Sequence, residues 1–338
     1  MSFRLQVEIG SEAKKKEVFA CIGVILVAFC LINLLLGVYL LYHPINWGHL
    51  VIRHKWSLLR DAERTVDWLF TGDSSGNQGL SVDQFDKNAN SNGLNLATYG
   101  GMGVYGDAVT LDYYIKHVGI PREGVVLIHV YDGWHRDLDL MAFSMLPVWD
   151  REFPVLPFDP RTDLVSRLRW WTYNALPLVT QGNVLGNYLR HSGAETPPLD
   201  FDEFGFMRWK QNDPELVKSN FRIHQQFLKS ARFRVSSINR QSLDYIEQLA
   251  NTHQFEVYLF NSPILDELKQ TKNFGKYYSD LHHWMVNRTR SSDRLHWMSE
   301  HPFVFDESYL IGVDHLTVEG AKIFTDSVFQ SIERWQKR

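Results

Sequence analysis

The longest apolar run of the chain lies near its N-terminus, between Val18 and Tyr42. Asn33 is the only amide in this run, which otherwise consists mainly of Ile, Leu, Val, Phe, Ala and Gly. A helix needs about 20 apolar residues to cross a bilayer, so the run is long enough. The pattern predicts one transmembrane helix at 18–42, after an N-terminal segment at 1–17 and before a linker at 43–64.

The residues that flank the apolar run predict its orientation. Three lysines at 14–16 precede it, and Tyr39, Tyr42 and Trp47 lie at its far end. Lysines favour the cytoplasmic side and aromatic residues the interface, so 1–17 is predicted to be cytoplasmic and the rest extracytoplasmic, anchored in the lipid bilayer of the inner or cytoplasmic membrane. Four basic residues between 53 and 64 weaken this charge bias. A cleaved signal peptide is the alternative, but the run is long and no small-residue cleavage pattern follows it.

Beyond residue 64, short apolar runs alternate with longer segments of helical character. The pattern predicts strands at 66–70, 93–97, 125–130 and 256–260, a glycine-rich loop at 100–106 and a helix at 108–116. The nearly continuous apolar run at 125–130 is typical of a parallel strand covered on both faces. A doubly wound α/β domain is therefore predicted at 65–338, with ligands binding at the carboxyl ends of its strands. Residues that follow predicted strands are Ser74, Gly100, Asp132 and Ser262.

A segment rich in proline and aromatic residues, at about 142–214, separates the third and fourth predicted strands. It includes Trp170, Trp171 and Tyr188. Loops of this length are usually functional or contain structure of their own, so we interpret the segment as an insertion that forms a lid or a wall for substrate. Two alternatives are the apolar face of a core helix and, for 167–171, contact with the membrane surface.

Composition and charge exclude several function classes. The 338 residues are 44% hydrophobic and 22% charged, with a net charge of −4, which provides no basic surface for nucleic acid. Both cysteines, Cys21 and Cys30, lie in the apolar run, so no disulfide stabilises the rest of the chain. No Cys-x-x-Cys pair is present, and His282-His283 lacks further ligands at a recognisable spacing. We predict neither a metal nor a cofactor.

Two short motifs contain the candidate chemistry. Gly72-Asp73-Ser74 follows the first predicted strand, and Asp314-His315 lies near the C-terminus. A serine hydroxyl becomes a good nucleophile only when a base within hydrogen-bond reach accepts its proton. Ser74 is therefore the candidate nucleophile and His315 the candidate base. Taken alone, each motif also fits an ordinary helix N-cap.

In order and spacing these motifs resemble those of the SGNH or GDSL superfamily of serine esterases and acyltransferases, over residues 65 to 335. The resemblance implies a three-layer, flavodoxin-like SGNH-hydrolase fold with Ser74 as nucleophile in the first block. The second block of the superfamily often has a glycine five residues after an asparagine, as Gly100 stands after Asn95. The N–H groups of Gly100 and Ser74 would then form the oxyanion hole.

Two blocks depart from the superfamily pattern. Tyr131 precedes Asp132 where the third block has asparagine, and its hydroxyl could act as the oxyanion donor or its ring could simply pack. Gly312 stands three residues before His315, where the fourth block has its orienting aspartate. The acid is then Asp314 or Asp306, or the site works as a Ser–His dyad.

The residues after His315 match a membrane-anchored branch of the superfamily, in which His-Leu-x-x-x-Gly-Ala begins a helix. This branch includes the teichoic-acid D-alanylation and exopolysaccharide acetylation proteins. The resemblance implies a serine ester hydrolase or O-acyltransferase that forms an acyl-enzyme on Ser74 and acts on acyl groups of cell-surface polysaccharide. The implied partners are a cell-surface glycan or another acyl ester, and a polytopic membrane O-acyltransferase. The alternative is a catalytically degenerate SGNH-fold subunit of a polysaccharide synthesis, modification or export complex.

Overall fold

The computed structural model describes residues 12–42, 47–139, 156–159, 164–165, 167–168, 172, 176–180, 199–209 and 211–338. The chain divides into two compact units, Met1–Asn46 with Asp163–Glu195, and Trp47–Thr162 with Thr196–Arg338. Much of the predicted insertion at 142–214, including Trp170, Trp171 and Tyr188, lies outside the described residues, as do 1–11 of the predicted cytoplasmic segment.

The first unit contains the apolar helix α1, Glu12–Tyr42. Its segment Lys16–Tyr39 has a mean hydropathy of 2.9 and is long and apolar enough to cross a membrane. The side-chain amide of Asn33 donates to the carbonyl of Phe29 at 2.8 Å, and its oxygen accepts from the N–H of Leu178 at 3.1 Å in the short helix α6, Pro177–Thr180. These bonds satisfy the amide within an apolar helix. The predicted helix is confirmed, whereas its orientation stays a prediction.

The second unit begins with helix α2, Trp47–Arg60, which occupies much of the predicted linker at 43–64. Val51, Ile52, Trp56 and Leu59 of this helix are buried. Their spacing places them on one face of the helix, so this segment packs as part of the domain.

A parallel sheet of five strands forms the centre of the second unit. The strands are β1 Trp68–Gly72, β2 Gly93–Asn95, β3 Gly124–His129, β4 Glu256–Asn261 and β6 Leu295–Trp297, in the order β2-β1-β3-β4-β6. This order is that of flavodoxin-like folds, and it confirms the predicted α/β fold class. Every residue of β1 and β3 is buried, as expected for strands covered on both faces. A separate pair of parallel strands consists of β5 Ile264–Leu265 and β7 Val304–Phe305.

Helices that follow the strands cover the sheet. They are α3 Ser74–Gly79, α4 Val82–Ala89, α5 Gly103–His117, α7 Pro214–Ser230, α8 Ser237–His253, α9 Asp266–Lys269, α10 Phe274–Arg290 and α11 Val318–Gln336. Helix α11 packs on α3 and α4, and α5 packs on α8. The order of the strands reverses between β1 and β3, and ligand sites of such sheets lie at this position.

The prediction of a glycine-rich loop at 100–106 was wrong. Gly100–Met102 form a 3₁₀ turn and Gly103 begins α5. Gly103 has a φ of +52°, and a β-carbon there would lie 2.6 Å from Oδ1 of Asn239 in α8. The same oxygen accepts from the N–H of Val104 at 3.1 Å. The glycine therefore allows α5 to begin directly against α8, and this tertiary contact outweighs its low helix propensity.

Gly72 ends β1 and lies directly against β3 where the chain turns into α3. Its φ is +137°, and a β-carbon there would lie 1.9 Å from the carbonyl oxygen of Ile128 in β3. The N–H of the next residue, Asp73, donates to the same oxygen at 3.1 Å. Only glycine combines this backbone conformation with this contact.

We predict that Gly72→Ala lowers the free energy of unfolding of the full-length protein in detergent by about 3 kcal/mol or more, because it combines a strained φ with overpacking. Gly275→Ala is the matched control, since a β-carbon at Gly275, near the start of α10, would meet no atom within 4 Å. The control should change the free energy by no more than about 1 kcal/mol, in the stabilising direction. Urea unfolding curves measure both, and equal effects of the two variants would contradict the prediction.

Candidate active site

The predicted nucleophile, Ser74, is the first residue of α3, directly after β1. Asp73 caps this helix, because its Oδ1 accepts from the N–H of Ser75 at 2.9 Å. The N–H of Ser74 has no partner within the helix, as is general for the first turn. The hydroxyl and the free N–H of one residue therefore lie together at the carboxyl end of β1.

The structure brings Ser74, His315 and Asp314 together. Oγ of Ser74 lies 2.9 Å from Nε2 of His315. Nδ1 of His315 lies 2.7 Å from Oδ1 of Asp314. This is the connectivity of a nucleophile, a base and an acid that orients the base. The catalytic roles of the three residues stay predictions.

Gly312, where the sequence resemblance would place an orienting acid, lies near the candidate base. A β-carbon on Gly312 would lie 3.5 Å from Nδ1 of His315, so the position does face the base. It would also lie 2.9 Å from Nδ2 of Asn220 in α7. The side chain of Asn220 thus lies close to Gly312, and the carboxylate that contacts His315 is that of Asp314.

The other candidate acid, Asp306, lies elsewhere. It is exposed and caps the 3₁₀ turn Glu307–Tyr309, where its Oδ1 accepts from the N–H of Ser308 at 3.0 Å. Of the alternatives left open by the sequence, the structure pairs Asp314 with His315.

Burial and the neighbouring charge have opposite effects on the pKa values of His315 and Asp314. Burial disfavours the imidazolium of His315, but the adjacent Asp314 outweighs burial and raises the pKa of His315 above its ordinary value. Burial likewise opposes the charge of Asp314, yet His315 lowers the pKa of that carboxyl. The pair therefore favours an ionised acid beside a base of increased proton affinity.

Asn95 anchors helix α3, which begins at Ser74. Its side chain is fully buried, and Nδ2 donates to the carbonyls of Gly76 at 3.2 Å and Leu80 at 3.1 Å. Its Oδ1 accepts from the N–H of Ala97 at 3.0 Å and from the buried amine of Lys55 at 3.3 Å. These partners belong to the scaffold, so Asn95 holds α3 against β2.

Gly100 lies beside Asp73, the residue directly before Ser74. A β-carbon on Gly100 would lie 3.9 Å from Cβ of Asp73. Gly100 is also the first residue of its 3₁₀ turn, and like Ser74 it has no partner for its N–H within the turn. Both predicted oxyanion donors thus begin helical turns.

Tyr131 packs in an aromatic cluster. Its side chain is fully buried, and its hydroxyl lies 2.8 Å from Nδ1 of His224 in α7. The rings of Phe274 and Tyr277 contact it edge-on, at 5.3 and 5.9 Å between centroids. Burial raises the pKa of this hydroxyl. Tyr131 therefore connects the loop after β3 to α7 through an engaged hydroxyl.

Asp132 is buried beside Arg136, a residue that the sequence analysis missed. Oδ2 of Asp132 accepts from Nη2 of Arg136 at 2.6 Å. Within the part of the chain that the structure describes, the other oxygen, Oδ1, is buried without a hydrogen-bond partner. Arg136 lies in the loop after β3, four residues after Asp132. No apolar pattern distinguishes it in the sequence.

A second set of charged residues, which the sequence analysis also missed, includes Asp73, the residue directly before Ser74. Nε2 of His129 lies 2.6 Å from Oδ2 of Asp107 in α5, and Nδ1 lies 3.4 Å from Oδ2 of Asp73. All three side chains are buried. Burial opposes the charge of His129, but the two carboxylates outweigh it and raise its pKa to about 10. The one sequence signal is a histidine within the apolar strand at 125–130.

The two carboxyl groups beside His129 differ in pKa because their surroundings differ. Burial opposes ionisation of Asp73, yet His129, Ser75 and the N–H of Val130 lower the pKa of Asp73 well below its usual range. Burial raises the pKa of Asp107, against the effect of His129. The ionised Asp73 therefore lies next to a protonated His129 and directly before Ser74.

Among the described residues, no group of three or more His, Cys, Asp or Glu side chains is arranged to hold a metal ion. His282, singled out in the sequence, accepts a hydrogen bond at Nδ1 from Nε1 of Trp297 at 3.0 Å. That contact gives it a structural role between α10 and β6.

In comparisons with known proteins, the chain is distantly similar to a solved structure. No family model matches the chain. No curated protein sequence matches it either. The solved structure of a "putative platelet activating factor" from Streptococcus pneumonia is similar with a TM-score of 0.41 and 10% identity, over 90% of this chain and 98% of that one.

We predict that the Asp314→Asn variant shifts the pH dependence of Ser74 reactivity. His315 accepts a proton only when neutral, so the reaction rate of Ser74 should fall as pH drops through the raised pKa of His315. Removing the Asp314 charge lowers that pKa, so the midpoint should move to lower pH while the maximal rate falls by about 10²-fold or more. Labelling rates with a fluorophosphonate between pH 4 and 9 measure both effects. Asp306→Asn is the control, and a shift in that variant instead would contradict the assignment.

We also predict that His129 makes stability depend on alkaline pH. Its pKa in the folded protein, about 10, lies above the unfolded value of about 6.5, so its contribution is complete below pH 6.5 and is lost as pH rises through 10. Wild-type stability should therefore fall between about pH 7 and 10, whereas His129→Gln should be less stable at neutral pH by about 3–5 kcal/mol and lack this decline.

Urea unfolding of the full-length protein at several pH values measures this dependence. His301→Gln, at an exposed position, is the control and should reproduce the wild-type profile. A wild-type profile without a decline above neutral pH would show that the buried histidine is neutral.

Proposed function

We propose that this protein is a membrane-anchored serine ester hydrolase or O-acyltransferase that works through an acyl-enzyme on Ser74. The observation that carries the proposal is the 2.9 Å contact between Oγ of Ser74 and Nε2 of His315, with Asp314 on the far nitrogen of the imidazole. Residues 241 positions apart make this contact at the carboxyl edge of the sheet. The order of the sequence motifs supports the same assignment.

The first half-reaction forms the acyl-enzyme. His315 accepts the proton of the Ser74 hydroxyl while Oγ attacks the carbonyl carbon of an ester. The N–H groups of Ser74 and Gly100 stabilise the negative oxygen of the tetrahedral intermediate. As the carbon–oxygen bond to the leaving alcohol breaks, His315 returns the proton to it.

The second half-reaction removes the acyl group from Ser74. His315 accepts a proton from the incoming hydroxyl, whose oxygen attacks the acyl carbon, and then returns the proton to Oγ. Water as the acceptor gives a free carboxylic acid, and a sugar or polyol hydroxyl gives a new ester. The same site therefore serves hydrolysis and transfer, and access of the acceptor decides between them.

The proposed substrate is an acyl ester of a cell-surface polysaccharide outside the cytoplasm. The apolar helix α1 supports a membrane anchor, and the lysines at 14–16 support a cytoplasmic N-terminus. A polytopic membrane O-acyltransferase is the proposed partner that supplies acyl groups, by resemblance to the membrane-anchored branch of the superfamily.

A second candidate function is that of a noncatalytic subunit in a polysaccharide synthesis, modification or export complex. Two observations favour it. The third block has a tyrosine whose hydroxyl is engaged with His224, and the fourth block lacks its usual aspartate. In such a subunit the contact between Ser74 and His315 would serve structure only.

A fluorophosphonate probe on the full-length protein in detergent separates the two candidates. Labelling should occur on Ser74, be lost in Ser74→Ala and fall by about 10³-fold or more in His315→Ala, because the hydroxyl then lacks its base. Ser327→Ala, at a half-buried position of α11, is the matched control and should label like the wild type. A folded wild type that does not label would favour the noncatalytic subunit. With an active protein, adding a polyol acceptor and measuring new ester against free acid separates transfer from hydrolysis.

A further inference from the structure

The guanidinium of Arg136 lies at the edge of the candidate active site. A β-carbon on Gly100 would lie 3.4 Å from Nη1 of Arg136, and the other terminal nitrogen, Nη2, pairs with Asp132 at 2.6 Å. Arg136 follows β3 whereas Gly100 follows β2, so the side chain reaches across the end of β1, where Ser74 lies. The Arg136 side chain is 39% exposed, so it is not sealed inside the domain.

The loop that carries Arg136 is held rigidly by one side chain. Nδ2 of Asn239, in α8, donates to the carbonyls of Gly133 at 3.2 Å, Trp134 at 3.0 Å and Arg136 at 3.1 Å. The N–H of Arg136 donates to the carbonyl of Gly133 at 3.2 Å. Backbone anchoring together with the buried Asp132 fixes the direction of the guanidinium before any substrate arrives. Such preorganisation is what makes a charge effective in catalysis.

The charge of Arg136 is coupled to the catalytic residues. Burial opposes that charge, but Asp132 outweighs burial, and Asp73 and Asp314 also raise the pKa of Arg136. In return, Arg136 lowers the pKa of His315, against the larger effect of Asp314. Interactions of this kind indicate that the guanidinium lies within the electrostatic field of the nucleophile and its base.

We propose that Arg136 is a catalytic residue that donates from Nη1 to the oxyanion, as a third donor beside the N–H groups of Ser74 and Gly100. This inference rests on the proposed function. The position that holds an asparagine donor in the superfamily is Tyr131 here, and its hydroxyl already bonds His224. A charged donor forms stronger hydrogen bonds to an anion than a neutral amide does, so Arg136 fits a developing negative oxygen.

Steady-state kinetics of the full-length protein in detergent test the proposal with two esters of the same leaving group, one neutral and one anionic. The neutral substrate is p-nitrophenyl acetate, and the anionic one is the mono-p-nitrophenyl ester of succinate. Arg136→Gln should lower kcat about 10²- to 10³-fold for both esters with little change in KM, because the interaction forms in the transition state. Arg136→Lys keeps the charge but loses the planar fork, and should lie between wild type and Arg136→Gln.

Arg122→Gln is the matched control. Arg122 precedes β3, and its Nε pairs with Asp67 at 2.6 Å, so this variant also removes an arginine–aspartate ion pair. Its kcat for both esters should equal that of the wild type.

The outcomes separate failure of this inference from failure of the proposed function. An unchanged kcat in Arg136→Gln, in a protein whose wild type labels at Ser74, overturns the oxyanion role alone. A rise in KM confined to the succinate ester also overturns it and identifies Arg136 as an anchor for anionic substrates. A folded wild type that neither labels nor hydrolyses either ester overturns both. If Arg136→Gln does not fold, the kcat of Arg136→Lys decides, and a wild-type value in that variant for both esters overturns the role.

Discussion

The carboxylate of Asp73 is the group on which the candidate site depends. One oxygen accepts from the N–H and the hydroxyl of Ser75, and the other accepts from the N–H of Val130 at 2.8 Å. A single side chain thus connects the start of α3 to the end of β3. Because the carboxylate is buried, its charge requires a counter-ion, which His129 provides. His129 in turn contacts Asp107, so the charge network extends from Asp73 into α5.

The strands of the central sheet show how far a sequence pattern predicts this fold. The buried strands β1, β3 and β4 are apolar runs bounded by polar residues, and the predictions located them within two residues of their observed bounds. Strand β6 has only three residues, Leu295-His296-Trp297, and such a segment has no recognisable period. The start of α5 was predicted as a loop because glycines disfavour helices in isolation. Its actual conformation depends on Asn239, a residue more than 130 positions away, and no local pattern reports such a contact.

The same distinction holds for the candidate site. Ser74 and His315 belong to local motifs that follow or precede recognisable elements, so sequence alone identified them as a pair. The choice of Asp314 over Asp306 could not be predicted, because both lie within ten residues of His315 in the sequence and only the fold shows that Asp306 instead caps an exposed 3₁₀ turn. Arg136 and Asp107 gave no signal, since a charged residue in a loop or on a helix usually faces solvent. Charged residues of this kind become functional candidates only when the topology of the sheet brings their elements together.

The acid and the base of the candidate triad are neighbours in the chain, and this has a mechanical consequence. Asp314 and His315 lie in one short loop, whose ends are joined by hydrogen bonds from the N–H of Ile311 to the carbonyl of His315 at 3.0 Å and from the N–H of Thr317 to the carbonyl of Tyr309 at 2.9 Å. The two side chains therefore share one hydrogen-bonded loop, and only the contact between His315 and Ser74 joins distant parts of the chain. In the proposed mechanism, orientation of the base by its acid is thus a local property of this loop, and the rest of the fold has only to place the loop against Ser74.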